Sequence, residues 1–287
     1  MILLSVDVAT GRAALFGIPR NLLNVPVAPE DAKLFKTTDG RYPGLLNSLW
    51  VDAYQRDGEF PDGGCTPATS DACGVARGFR AITGAIQQLV GVPLDGAVVV
   101  NLNGFVDLVD AIAPAGVWIR TEHVYDNRYP LEDGSGYVTI DIAAGCHQLD
   151  GHTLLEYARS RHQDSDYGRM ARQQQVLVAL LHQIDPIALL PQVSHLLDIA
   201  KANLLLAIPT ADIGSLASLA SSVEPATVQR ISLDPGSGYR EYLTTKEIAK
   251  VQKAVRTVFA TPLASPAPSA SAGPTPITQP TLKPCGG

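Results

Sequence analysis

The sequence predicts a mixed α/β domain, and three observations carry that prediction. Short apolar runs of β character are interleaved with amphipathic stretches of helical period rather than segregated into blocks. Hydrophobic residues make up 46% of the 287 residues against 17% charged, enough to bury one substantial core. From Thr261 onward the composition shifts to Pro, Ser, Ala and Thr, a segment too poor in apolar surface to offset its ordering entropy. The expected organisation is therefore one domain over residues 1–260 and a disordered tail over 261–287.

In chain order, residues 1–7 and 12–18 are apolar, β-rich and separated by Val8-Ala9-Thr10-Gly11, the pattern of a hairpin. Residues 25–44 hold Pro26, Pro29, Gly40, Pro43 and Gly44 and read as loop. Leu45–Tyr54 and Val75–Val90 read as helices, the second placing Phe79, Ile82, Ile86, Leu89 and Val90 on one face. Leu94–Leu102, centred on Val98-Val99-Val100, reads as a buried strand, with Asn103 capping a short helix behind it. Strands are expected at 117–119, 137–140 and 228–233. Helices are expected at 151–160, 167–184, 187–206 and 211–222. Thr244 and Glu247 form a capping box at the start of the last helix.

Composition also excludes. A net charge of −6, with no basic stripe and no helix-turn-helix signature, argues against a nucleic-acid-binding regulator. No run approaches the roughly 18 apolar residues of a membrane span. The opening Met1-Ile2-Leu3-Leu4-Ser5-Val6 is too short for a signal-peptide core and lacks a basic flank. A strand at residue 1 is what a fragment, or a start placed too late, would show. Cys65 and Cys73 flank a Gly/Pro/Ser/Thr-rich stretch and can close a small disulfide loop worth about 2–3 kcal/mol, with two free thiols the alternative. A disulfide there would imply an oxidising compartment. Cys146 reads as a small buried hydrophobe, and Cys285 lies in the tail.

The segment richest in chemistry runs from Tyr157 to Gln175. It contains Arg159, Arg161, Arg169 and Arg172, with Asp164 and Asp166, and no lysine. A planar guanidinium offers paired hydrogen bonds to phosphate oxygens, whereas lysine offers a point charge. If Asp166–Ile184 is helical, Arg169, Arg172 and Gln173 share a face near its N-terminus, where an anion is already favoured. The bland alternative is a solvated Arg–Asp surface network, which would add little stability for such a density of charge. Arg20, in Ile18-Pro19-Arg20, follows directly on a strand, a frequent location for site residues, though an isolated strand-end arginine is more often surface.

Together these segments resemble the LytR-CpsA-Psr family. The matching residues are Ile2–Asp7 through Ile18-Pro19-Arg20, Asn103–Ile112, Leu149-Asp150-Gly151 leading into Tyr157–Arg161, and Asp164–Gln174. The last run is the most specific, and the match covers residues 1–184. The resemblance implies a three-layer α/β/α domain with a central mixed sheet and an apolar pocket for a polyprenyl chain. It also implies a Mg²⁺-assisted phosphotransferase that moves a glycopolymer from a polyprenyl-pyrophosphate carrier onto a peptidoglycan hydroxyl. The glycopolymer would be teichoic acid, arabinogalactan or another envelope polymer, and the site extracytoplasmic, at the outer membrane face. Carried over by position, Arg20, Arg159, Arg161, Arg169 and Arg172 would hold phosphates, with Gln173 a weaker candidate. Asp164 or Asp166 would orient the acceptor hydroxyl or hold an arginine. Family members often have a Lys-Asn pair after the Ile-Pro-Arg loop. Lys33 and Asn47 are too far apart to match it, so only Asn47 is carried over. A membrane anchor and the magnesium-binding aspartates are expected upstream of residue 1, so no metal ligand is assigned. A polyprenyl-phosphate-binding protein without turnover, and a pyrophosphatase on the same lipid, are the alternative readings.

Overall fold

The computed structural model describes residues 1–32, 35, 39–56, 71–131, 134–161, 165–184, 189–207, 219, 221–260 and 285. The chain begins with strands β1 (Ile2–Val6), β2 (Ala13–Gly17) and β3 (Leu23–Pro26), then helix α1 (Pro29–Ala32) and strand β4 (Arg41–Leu45). Helices α2 (Leu46–Gln55) and α3 (Asp71–Val90), strand β5 (Ala97–Val100) and helix α4 (Leu102–Ile112) follow. Strands β6 (Val117–Thr121), β7 (Val124–Pro130), β8 (Tyr137–Ile142) and β9 (Gly145–Leu149) precede helices α5 (Gly151–Arg159), α6 (Asp166–Gln183) and α7 (Val193–Asn203). Strands β10 (Leu204–Ala207) and β11 (Gln229–Ser232) and helix α8 (Thr245–Thr257) complete the described elements.

The mixed α/β class holds, but the chain groups into two units where the sequence predicts one domain. The first comprises Met1–Gly17, Gly96–Ser232 and Pro276–Gly287; the second comprises Ile18–Asp95 and Leu233–Thr275. Composition along a chain cannot show this, because the boundaries at Gly17/Ile18, Asp95/Gly96 and Ser232/Leu233 carry no shift in composition.

In the first unit, β1 and β2 pair antiparallel and β11 adds parallel to β2, a small mixed sheet. The β1–β2 turn is held by Asp7, whose carboxylate accepts the Ala9 N–H at 3.0 Å and the Thr10 hydroxyl at 2.6 Å. Strands β6/β9, β7/β8 and β5/β10 form antiparallel two-stranded ladders, so the described strands do not merge into one broad central sheet. The inner faces of β6–β9 meet α4, α5 and α6 in a core that includes Val109, Val117, Ile119, Ile140, Leu154, Tyr157 and Val176. Burying such side chains is worth about 1.5–3 kcal/mol each, and this core is what fixes α5 against α6.

The start of α5 shows why Leu149-Asp150-Gly151 is written as it is. Asp150 caps the helix, its carboxylate accepting the Thr153 N–H at 2.7 Å. That hydrogen bond holds the Asp150 carboxyl below its ordinary pKa. Gly151 donates its N–H to Asp110 of α4 at 2.7 Å. A Cβ on Gly151 would stand 2.7 Å from the Val106 carbonyl oxygen and 2.8 Å from Asp110 Oδ1, closer than real contacts allow. Gly151→Ala is accordingly expected to destabilise the protein by about 1–3 kcal/mol, read as a lower urea midpoint at unchanged slope.

The second unit pairs β3 with β4 and packs α2, α3 and α8 together. Leu46, Leu49 and Ala53 of α2 are fully buried. Arg77 of α3 reaches the Ala53 and Tyr54 carbonyls at 3.2 and 2.9 Å, satisfying the end of α2. Asp31 is buried and its Oδ1 accepts from Arg80 at 2.8 Å. The capping box is present, Thr244 Oγ1 accepting the Glu247 N–H at 3.3 Å.

Several expectations need correction. Residues 25–44, read as loop, contain the end of β3, the short helix α1 and most of β4; a two-stranded ribbon has edges that tolerate Pro26 and Pro43. β5 is not buried: Val98 is 48% exposed, and Val99 and Val100 are exposed too, β10 being the one strand paired with β5 among the described residues. Asn101, not Asn103, caps α4, accepting the Gly104 N–H at 2.6 Å. The helix expected through residue 206 ends at Asn203, where the chain turns into β10. Most of the helix expected over 211–222, and residues 261–284 of the tail, lie outside the described residues. Cys146 is not a buried hydrophobe but an exposed residue of β9, disulfide-bonded to Cys285 across 139 positions of sequence. Spacing arguments see only close partners, so this pairing was not readable. Cys73 is also disulfide-bonded, while Cys65, its expected partner, lies outside the described residues.

Candidate functional site

The arginine segment spans the end of α5 and the start of α6, two helices packed against each other. α5 ends at Arg159, and Ser160 leaves the helix with φ −51° and ψ 142°. Asp164 lies outside the described residues, and α6 begins at Asp166. The N-terminal N–H groups of this 18-residue helix face the connection between α5 and α6, a favourable environment for an anion.

Two of the arginines meet there through one carboxylate. Asp166 Oδ1 lies 3.2 Å from Arg169 Nη2 and 3.6 Å from Arg161 Nε, so one carboxylate spans both guanidiniums. Asp166 is thus in contact with two of the arginines. The Arg161 side chain is 56% exposed and the Arg169 side chain 15%. Arg159 donates to the Tyr129 hydroxyl at 3.3 Å, with its guanidinium 5.3 Å above the Tyr129 ring. Aromatic contact of this kind fixes the plane of the guanidinium.

Arg172 is placed differently from what the helix-face argument expects. It is 5% exposed. Its Nε donates to the Tyr157 carbonyl at 2.9 Å and its Nη2 to the Ser160 carbonyl at 2.5 Å. These are the acceptors a helix leaves unpaired at its C-terminus, so Arg172 caps α5 from α6. Arg169 and Arg172 are three positions apart, but the α5–α6 packing buries one and leaves the other at the turn.

Of the three glutamines that follow, the sequence singles out only Gln173, as a weaker candidate, and the structure gives hydrogen-bond partners to all three. Gln173 reaches the Ala158 carbonyl at 3.5 Å. Gln174 is fully buried and donates to the Leu15 and Ile231 carbonyls, both at 3.1 Å, tying α6 to β2 and β11. Gln175 donates to the Arg120 carbonyl and accepts the Tyr157 hydroxyl at 3.0 Å. Arg230 on β11 was missed altogether. It is buried, and burial lowers its pKa from the ordinary arginine value while Glu122 opposes the shift. No local sequence signal marks it, because its neighbours come from other elements.

Arg20 and Asn47 belong to the second unit. There they are neighbours through the backbone, the Asn47 N–H donating to the Arg20 carbonyl at 3.0 Å. Asn47 is exposed and Arg20 half-buried.

Among the described residues no three His, Cys, Asp or Glu side chains come together as a metal site. Among the described residues, the carboxylates of Asp126 and Asp166 beside the α5–α6 connection are engaged by backbone, hydroxyl and guanidinium donors. This donor set does not fit a magnesium ion, which prefers open carboxylate and phosphate oxygens.

Fold and site together define a mixed α/β protein with an arginine-lined, anion-receptive turn. The chain belongs to the LytR_cpsA_psr family, whose model matches residues 66–257. Biofilm regulatory protein A of Streptococcus mutans is 25% identical over 198 residues, 66% of this chain and 47% of that protein. The polyisoprenyl-teichoic acid–peptidoglycan teichoic acid transferase TagT of Bacillus subtilis is 27% identical over 171 residues, 58% of this chain and 52% of TagT. The chain thus matches about half the length of these relatives. The crystal structure of Bacillus subtilis TagV superposes with a TM-score of 0.59 at 19% identity, covering 91% of this chain and 89% of TagV, a likeness of fold.

Proposed function

We propose that this protein transfers a glycopolymer from a polyprenyl-pyrophosphate carrier to a hydroxyl of peptidoglycan, on the outer side of the membrane. The observation that carries the reading is the Arg159–Arg161–Arg169 turn, held by Asp166 and Tyr129, in a chain whose family includes TagT. The acceptor oxygen attacks the phosphorus bearing the glycan, the bond to polyprenyl phosphate breaks, and the hydroxyl proton passes to solvent. Polyprenyl phosphate leaves carrying the negative charge. Phosphoryl transfer depends mainly on positioning and on neutralising spread charge, and guanidiniums at a helix N-terminus supply both. Arg20, in the turn between β2 and β3, is a separate phosphate-binding candidate carried over by position. The disulfides are consistent with an oxidising, extracytoplasmic setting. Among the described residues no helix is long and apolar enough to cross a membrane. Magnesium is expected from the family resemblance, but no step is assigned to it.

The test is release of polyprenyl phosphate from a polyprenyl-pyrophosphate-linked sugar in the presence of peptidoglycan fragments. Arg169→Ala is expected to reduce release by about 10²-fold or more, as loss of one donor to a developing phosphate charge does. No release and no binding of the lipid by the unaltered chain would reject the reading.

A further inference from the structure

The β7 strand contains a feature the arginine motif does not include. Its pairing with β8 runs Asp126↔Ile140 and then Tyr129↔Val138, so three steps along β7 are matched by two along β8. That is a β-bulge, and its effect is to shift the phase of the strand. With strict alternation, a buried Asp126 would be followed by a buried residue 128 and an exposed residue 129. Instead Asp126 and Tyr129 are both buried, and Asn127 and Arg128 both exposed. The bulge turns two polar-tipped side chains to the same inner side, and both meet the arginine turn.

Asp126 is 2% exposed. Its Oδ2 accepts the Ser160 hydroxyl at 3.2 Å and the Arg161 N–H at 3.1 Å, and its Oδ1 accepts the Arg128 N–H at 3.0 Å. Tyr129, also buried, carries the Arg159 guanidinium on its ring and hydroxyl. The turn is therefore gripped from both sides. Arg172 takes its carbonyls, and Asp126 takes the N–H and O–H groups that face the other way. A buried carboxylate is costly unless its oxygens are occupied by donors, and here the donors are those of the residues that aim Arg159 and Arg161.

We propose that the β7 bulge is the positioning platform of the phosphate site, Asp126 setting the backbone that presents Arg161 and Tyr129 setting the plane of Arg159. This rests on the phosphotransferase reading above. Asp126 and Tyr129 are positioning residues and touch no reacting atom. Misplacing a catalytic group by about 1 Å can cost on the order of 10²-fold in rate, so a platform of this kind is felt in turnover before it is felt in folding.

Two variants test it on the full chain, with turnover of the lipid-linked sugar and binding of a polyprenyl diphosphate measured alongside thermal unfolding. Asp126→Asn keeps the shape but replaces one acceptor oxygen with an NH₂ group. It is expected to lower kcat by about 10- to 100-fold. Tyr129→Phe keeps the ring and removes only the hydroxyl that helps set the plane of Arg159; the expected result is a kcat lowered several-fold with KM nearly unchanged. If Asp126→Asn does not fold, the Tyr129→Phe split between KM and kcat decides alone. Unaltered kcat and KM in the folded variants overturn the platform while leaving the proposed function standing. A parent chain that neither turns over nor binds the lipid diphosphate overturns both.

Discussion

Arg172→Ala is expected to lower the stability of the protein by about 3–5 kcal/mol, the largest loss from any single change in the arginine segment. The substitution removes a buried guanidinium that serves two carbonyls at the end of α5, those of Tyr157 and Ser160. Each buried acceptor left without a donor costs roughly 1–3 kcal/mol, and the emptied space adds a cavity term. The guanidinium also lies 5.8 Å from the centre of the fully buried Tyr157 ring. Arg172→Lys should recover only part of the loss, since a single ammonium cannot reproduce the fork that reaches both oxygens. Arg161→Ala, on an exposed side chain with a long ion pair, should change stability by less than about 1 kcal/mol. Urea titration at matched slopes separates the three variants. Equal stability of Arg172→Ala and the parent would show that α5 is not capped from α6.

That contrast explains how much of the site was legible. Residue type and density were readable: four arginines without lysine marked the segment, and helical spacing correctly placed Arg169 at the start of α6. What periodicity cannot tell is which of two neighbouring positions faces the next helix and which faces the turn. That is decided by α5, whose unpaired carbonyls draw Arg172 inward. The same holds for Gln174, a polar residue at a fully buried position because β2 and β11 present backbone oxygens to it.

The fold was legible where local signals act alone. The β1–β2 hairpin, the α5 and α6 spans and the Thr244 cap all follow from residues close in sequence. It failed where long-range pairing decides. Val98-Val99-Val100 has the composition of a central strand, yet its only described partner is β10, and its side chains stay exposed. The β7 bulge is likewise invisible, because Asp126-Asn127-Arg128-Tyr129 reads as a polar loop until β8 supplies its register.

Arg159→Ala is expected to reduce release of polyprenyl phosphate by about 10²- to 10³-fold, the effect of removing one donor from a developing charge. The loss should fall on kcat rather than on stability. Arg159 is half-buried and rests on Tyr129 at the surface of the core, so its truncation leaves the α5 cap and the Asp126 contacts in place. Arg159→Lys tests the chemistry more finely. A lysine can keep a positive charge over the Tyr129 ring but not the planar pair of N–H groups. If bidentate recognition of phosphate matters, the lysine variant should remain at least about tenfold below the parent. If charge alone suffices, it should approach parental turnover and show the same steep decline with added salt. Parental turnover in Arg159→Ala and in Arg169→Ala would remove this turn from the chemistry, and the reacting phosphates would then have to be sought beside Arg20 in the second unit.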